Sequence, residues 1–452
     1  MKNDDYYIAY NEELEKRVDV FLRDSGTCLG NLDVRKPLQT FLFDRLSIER
    51  EEYCRCRQQG LDTKAAMMRV DCFFDAMRKR PLRKYDDAVP ILTDIHLHPW
   101  YEVLGGYKGV ILVYVSNVGQ FQYILPLLRK FDVPVMLLFE YNLIDETDLP
   151  DCLTVLMMEF SVHRMFHYPV FEARYPLIFH YVNTFDILLQ ILHPSAILCL
   201  EGSRWQEQLL AVVASNRGTP SCCMQQGWPS TVQAGFRDMP FRYYFTWGEF
   251  FSALWKASNP FTRFIPCGYL YDTTRFRQTS RDSVVFFLPS ACSILDTDLF
   301  SRLLKMITKV AHSYPNIKIS VCEHPDYQLK DVVKNHWADM PNIQIVTNIP
   351  LPEVYARARV VVSCYASALI ECLLYACVPV AFIPESHLLS YFDVKQNGCG
   401  FVTCTTEELY SCLQDILDGV YPYIAFENTL DNSCVGDAAI EKIVEFFNEL
   451  SI

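Results

Sequence analysis

No GxGxxG turn follows a strand-like run in this 452-residue chain, and no GxxxxGK[ST] loop occurs, which argues against NAD or FAD enzymes and against P-loop NTPases. No HExxH frame is present either. His163 and His167 stand at i,i+4 spacing and His96 and His98 two apart, but no matched carboxylate accompanies them, so core or surface histidines are expected and no metal site. The 18 cysteines contain no CxxC pair. Cys199, Cys222, Cys223, Cys322, Cys364, Cys372 and Cys377 sit inside apolar patterns where cysteine acts as a small hydrophobe. Cys54 and Cys56 fall on a charged helical segment with poor zinc geometry. Reduced thiols in a cytosolic protein are the expectation.

Long apolar runs are missing as well. Nothing approaches the roughly 18 residues of a spanning helix, and the longest candidate, from Phe185 to Leu200, is broken by Asp186, Gln190, His193 and Pro194. The polar, acidic opening MKNDDYY predicts no secretory leader. Positive charge is also short: the formal charge of −13 argues against a general nucleic-acid binder, whose affinity rests on basic patches. One local run survives that average, Arg78, Lys79, Arg80, Arg83 and Lys84. It reads as a solvated helix end or as a contact for an anionic membrane or acceptor.

What the chain does have is core. Half of its residues are hydrophobic and 14% aromatic, which excludes wholesale disorder, and its length calls for two or three domains. Residues 1–85 carry charge-rich helical periodicity and are expected to form a helical N-terminal extension. From residue 86 to 270 strands and helices alternate: GVILVYVS, a helix from Gln120 to Phe131, VPVMLLFE, a longer helical stretch, SAILCLE, a helix from Arg204 to Asn216, and PSCCMQQ. The polar segment YDTTRFRQTSRD reads as a linker. Over 283–435 the alternation restarts with SVVFFLP, NIKISVCE, NIQIVT, VVVS and VPVAFIP separated by helices, and residues 436–452 form a last helix that returns to the first domain. Such alternation predicts an α/β chain of two doubly wound, Rossmann-like domains with parallel sheets, and a cleft between facing strand ends.

The segment VVVSCYASALIECLLYACVPVAFIP, residues 360–384, reads as strand, polar turn, helix and strand. Ser363 to Ser367 supply small polar groups where a helix begins, a place that favours anions. Glu371, one turn into an apolar helix, becomes a candidate for binding sugar hydroxyls. Glu201, in Glu201-Gly202-Ser203 after the strand SAILCL, suits either general acid/base work or a helix N-terminus. MQQGWPS places Gln225, Gln226 and Gly227 at a strand-to-turn junction, and FRDMPFRYYFTWGEF crowds Arg237, Asp238, Arg242, Trp247 and Glu249 beside it. His324, held by Pro325 at the end of NIKISVCE, can donate to a phosphate or to a nucleotide's sugar.

Taken in order, QQGWP, FRYYFTWGE, EHP and SCYASALIECLLYACVPV resemble bacterial surface-polysaccharide glycosyltransferases of the two-Rossmann-domain (GT-B) type, most of all the Kdo and sialyl transferases that use CMP-activated ulosonic acids. The resemblance implies that His324-Pro325 with Ser363 and Ser367 hold the CMP moiety, with Gln226 and Gly227 in the QHG-like motif. It implies a metal-independent transfer without further cofactor, from a nucleotide sugar onto a lipid-linked glycan, at the inner face of the cytoplasmic membrane. Two departures stand out. Gln226 replaces the histidine of QHG, and the loop PSACSILDTD offers only Asp296 and Asp298, late in it, where retaining relatives place a catalytic aspartate. Rival expectations are a UDP-sugar transferase, a nucleotide-sugar 2-epimerase, a CDP-polyol phosphotransferase, and a catalytically silent scaffold.

Overall fold

The computed structural model describes residues 3–24, 32–45, 47–69, 90–94, 104, 106–139, 153–160, 175–227, 234–273, 281–288, 297–323, 329, 331–346, 351–364, 366–383, 394–395, 398–420 and 434–450. The chain divides into two compact units. The first comprises residues 1–227, 231–271 and 433–452, the second residues 228–230 and 272–432.

In the first unit, strands β1 (Pro90–Asp94), β2 (Ile111–Val115), β3 (Val135–Phe139), β4 (Leu153–Phe160), β5 (Ala196–Leu200), β6 (Ser221–Met224), β7 (Tyr243–Thr246) and β8 (Arg263–Pro266) form one sheet in the order β1-β4-β3-β2-β5-β6-β7-β8. All neighbours are parallel except β1, which pairs antiparallel with β4. Every residue of β2, β3 and β5 is buried. Strands buried on both faces need no polar alternation, which is why ILVYV, VMLLF and AILCL run apolar without a break.

Helices α1 (Asn3–Asp24), α2 (Arg35–Arg45) and α3 (Ser47–Gln58) are among the described elements that precede the sheet. They belong to this unit: the Lys36 ammonium donates to the Ala234 carbonyl at 2.6 Å, and the Thr40 hydroxyl to Gln208 Oε1 at 2.7 Å. Helix α4 (Val118–Leu128) follows β2 behind an Asn117 cap that accepts the Gln120 N–H; α5 (Tyr175–Leu192), α6 (Trp205–Asn216) and α7 (Glu249–Lys256) follow β4, β5 and β7. The last helix, α13 (Asp437–Leu450), packs here too, with Phe446 against Tyr243 and Phe245 and Phe447 against Phe131.

The second unit holds β9 (Ser283–Phe287), α8 (Thr297–Ser313), β10 (Lys318–Cys322), α9 (Asp331–Trp337), β11 (Ile343–Val346), α10 (Leu351–Arg357), β12 (Ala358–Ser363), α11 (Ala368–Leu374), β13 (Val378–Phe382), β14 (Phe401–Thr403) and α12 (Thr406–Leu417). Its sheet runs β11-β10-β9-β12-β13-β14, parallel throughout. Both sheets are thus doubly wound, and the fold is the two-Rossmann-like-domain architecture expected.

Some elements differ from the sequence reading. The stretch read as a long helix before residue 195 contains β4, whose LTVLMMEF carries one charge and no strict alternation and pairs parallel with β3. β1, β7 and β8 also went unread: PILTD, YYFT and RFIP are too short to show a period. No helix among the described residues is long and apolar enough to cross a membrane.

Candidate functional site

In doubly wound sheets ligands bind at the carboxyl ends of the strands, where the strand order reverses. For the first unit that point lies between β2 and β5, and for the second between β9 and β12. Glu201 is the residue that follows β5. Its backbone takes the left-handed conformation at φ 68°, which strains a non-glycine residue by about 1–3 kcal/mol. The turn is over-determined. The Glu201 N–H donates to the Met224 carbonyl at 2.7 Å, Gly202 N–H to the Leu200 carbonyl at 2.8 Å, and the buried Tyr244 hydroxyl to the Glu201 carbonyl at 2.8 Å. Gln208 braces the same turn by donating to the Gly202 and Gly235 carbonyls. The carboxyl, half-buried, is pushed above its ordinary value by burial, with the Arg204 cation opposing.

Directly behind this turn lies a residue the sequence reading did not single out. Glu207, in the first turn of α6, is fully buried. Burial pushes its carboxyl up to about 8, Arg204 pulls it back, and the nearby Glu201 charge adds to the rise. One oxygen accepts from the Gln120 amide at 3.3 Å and the other has no partner. Gln120 in turn donates toward the Leu200 carbonyl at 3.4 Å, and its oxygen accepts both the N–H and the hydroxyl of Ser116 at 2.8 Å. The chain Ser116–Gln120–Glu207 therefore joins the ends of β2 and β5. The signal was in the sequence: Glu207 shares a helix face with Leu210, Ala211 and Ala214, the same anomaly that drew attention to Glu371.

Just after β6, Gln225 is committed to structure. Its side chain accepts the Trp247 N–H at 3.0 Å and its carbonyl accepts from Tyr123 and from the Trp247 indole. Gln226 is half-buried and Gly227 buried at the same strand end. Arg237, Asp238 and Arg242 do not line this end as expected. They precede β7 and so fall at its amino end, whereas Trp247 and Glu249 follow its carboxyl end.

In the second unit Ser363 ends β12 and donates to the Phe287 carbonyl of β9 at 3.2 Å, tying together the two strands that flank the reversal. Ser367 caps α11 without a side-chain bond to it. Glu371 is half-buried among apolar residues and pushed up to about 7 by burial, opposed by a 3.1 Å hydrogen bond donated by the Tyr355 hydroxyl. Tyr355 was also missed. It lies on the buried face of α10 and packs at a tilt against the rings of Phe287 and Tyr375. Glu323, after β10, accepts the Leu329 N–H and pairs with Lys334 at 3.4 Å, so it anchors both flanks of the His324-Pro325 segment.

His324, Pro325 and Asp296 lie outside the described residues, as do His96, His98, His163, His167 and the Arg78–Lys84 run. Asp298 falls in the first turn of α8. Among the described residues no cluster suits a metal ion and no disulfide forms. A cavity of about 640 Å³ lies elsewhere in the first unit, between α1, α2 and the far end of α6. Of its charged groups, Arg35 pairs with Asp33, and Lys36 donates to the Ala234 carbonyl and to Gln39.

No protein-family model matches the chain, and no curated protein matches it by sequence. Solved structures share its fold. A UDP-GlcNAc 2-epimerase from Neisseria meningitidis, solved with UDP-GlcNAc, superposes with TM-score 0.54 at 12% identity over 75% of this chain and 99% of that one. S. aureus MnaA, solved with UDP, gives 0.54 at 8% identity over 76% and 98%. The UDP-GlcNAc 2-epimerase of Methanocaldococcus jannaschii gives 0.51 at 12% identity over 75% and 99%.

Proposed function

We propose that the protein is a nucleotide-sugar-dependent glycosyltransferase whose second domain takes the nucleotide and whose first domain acts on the acceptor. The observation that carries this reading is the pair of strand-order reversals, each with a buried-to-half-buried carboxyl beside it and no dinucleotide or P-loop glycine pattern. At the second reversal, the Ser363–Ser367 turn and His324 bind phosphate, and Glu371 accepts hydrogen bonds from the ribose. At the first, Glu201 takes the proton of the acceptor hydroxyl. A carboxyl with a raised proton affinity is suited to that task, because general bases work best with a pKa near the operating pH.

For the donor, the HP and serine motifs favour a CMP-linked ulosonic acid such as Kdo, with a lipid-linked glycan as acceptor. A second reading, a UDP-sugar 2-epimerase, is favoured by the solved structures with UDP or UDP-GlcNAc on the same fold. Thermal-shift measurements with CMP, CDP, UDP and GDP separate the two. A ligand at a hundredfold excess over its dissociation constant adds about 2.7 kcal/mol, so CMP raises the melting temperature above the others on the favoured reading. Equal or greater stabilisation by UDP removes the CMP reading in favour of a UDP-sugar enzyme, and no shift with any nucleotide removes both.

A further inference from the structure

The turn between α7 and β8, residues 257–262, presents Phe261 with 93% of its surface exposed. Singly exposed apolar side chains are ordinary on protein surfaces. This one differs in how its turn is held. Asn259 and Thr262, both buried, clamp the turn from below. The Asn259 amide donates to the Phe236 and Trp255 carbonyls at 2.9 Å and its oxygen accepts the Met239 N–H at 2.8 Å. The Thr262 hydroxyl donates to the Phe241 carbonyl at 3.0 Å and the Met239 carbonyl at 3.3 Å. The tip is therefore fixed while its aromatic ring stays in water.

Charge surrounds it. Lys256 ends α7, Arg263 begins β8, and the Arg263 N–H bonds the Arg242 carbonyl at 2.9 Å; all three residues are exposed. Asp238, whose N–H donates to the Ser258 carbonyl, is the acidic residue at the base of the turn. In a chain of net charge −13, this basic spot around an aromatic tip stands against the general sign. It also lies at the amino ends of β7 and β8, away from the strand ends that hold Glu201 and Gln226.

We propose that this turn docks on an anionic lipid bilayer, with Phe261 entering the interface and Arg242, Lys256 and Arg263 meeting the headgroups. A bilayer suits the turn better than a protein does. A stable protein interface needs about 800 Å² per partner with several anchors, whereas partition into a membrane interface adds up from single apolar insertions and from each nearby cation. The proposal does not rest on the nucleotide-sugar reading, since vesicle binding requires no substrate.

The test is cosedimentation of the full chain with phosphatidylcholine vesicles, with and without phosphatidylglycerol. Binding is expected only to the anionic vesicles and weakens with added salt. Phe261→Ser lowers the partition coefficient about tenfold, and Lys256→Gln and Arg263→Gln about fivefold each. Because all three side chains are exposed, circular dichroism of the variants matches the wild type. Phe261→Trp, with brominated lipid, shows fluorescence quenching beyond that of the wild-type tryptophans. Absence of binding, equal binding to neutral vesicles, or binding indifferent to Phe261→Ser overturns the proposal.

Discussion

Two glutamates that differ by six positions meet very different surroundings. Glu201 is half-buried on a strained turn beside Arg204, and Glu207 is sealed behind it with one oxygen unpartnered. A buried carboxylate in that condition is costly, so the native state holds Glu207 protonated. Its ordinary value of 4.5 is raised to about 8 by folding. The native state therefore binds the extra proton between those limits, and the contribution of Glu207 to stability is fully present below the lower value and is lost as pH rises through the upper. Urea unfolding across this range checks the sign: the midpoint of wild type declines toward alkaline pH, whereas Glu207→Gln, which keeps the amide contact without an ionisable group, flattens the decline. For Glu201 the readout is kinetic. Glu201→Gln is expected to retain nucleotide affinity and to lower turnover by about 10² to 10⁴. Near-normal turnover in a folded variant removes Glu201 from proton transfer.

At the level of elements, the strands that were legible are those buried on both faces, such as β2, β5 and β12, because continuous β-branched and aliphatic runs admit few other structures. Those that were not legible are short or sit at the sheet's margins, like β1 and β8, where four or five residues show no period. The candidate site followed the same division. Glu201, Ser363 and Glu371 announced themselves by position after or within a readable element, and Glu207 carries the same helix-face signal as Glu371; Gln120 and Tyr355 owe their roles to contacts between helices that spacing does not display. The crossing near β8 is a further case. Gly268, at φ 100°, passes so close to the returning chain that an added Cβ would lie 1.9 Å from the Cys434 carbonyl oxygen. The Tyr269 N–H bonds that carbonyl and the Gly436 N–H bonds Tyr269 in return. Gly268→Ala is therefore expected to cost about 2–4 kcal/mol, visible as a lower melting temperature with nucleotide chemistry unaffected in the surviving folded fraction. A neutral outcome would show that the two segments separate freely.

For the whole molecule, the two doubly wound sheets supply two reversals of strand order and hence two natural ligand positions, and each carries one of the carboxyls proposed for function. The division of labour between them is the central claim: nucleotide at the second domain, acceptor chemistry at the first. Hydrogen exchange followed by mass spectrometry, with CMP and UDP each in saturating excess, examines that claim directly. The stabilising nucleotide is expected to slow exchange at the carboxyl ends of β10 and β12, in peptides covering residues 322–329 and 363–371. Protection confined to peptides around Glu201 and Gln226, with those segments of the second domain unchanged, would contradict it.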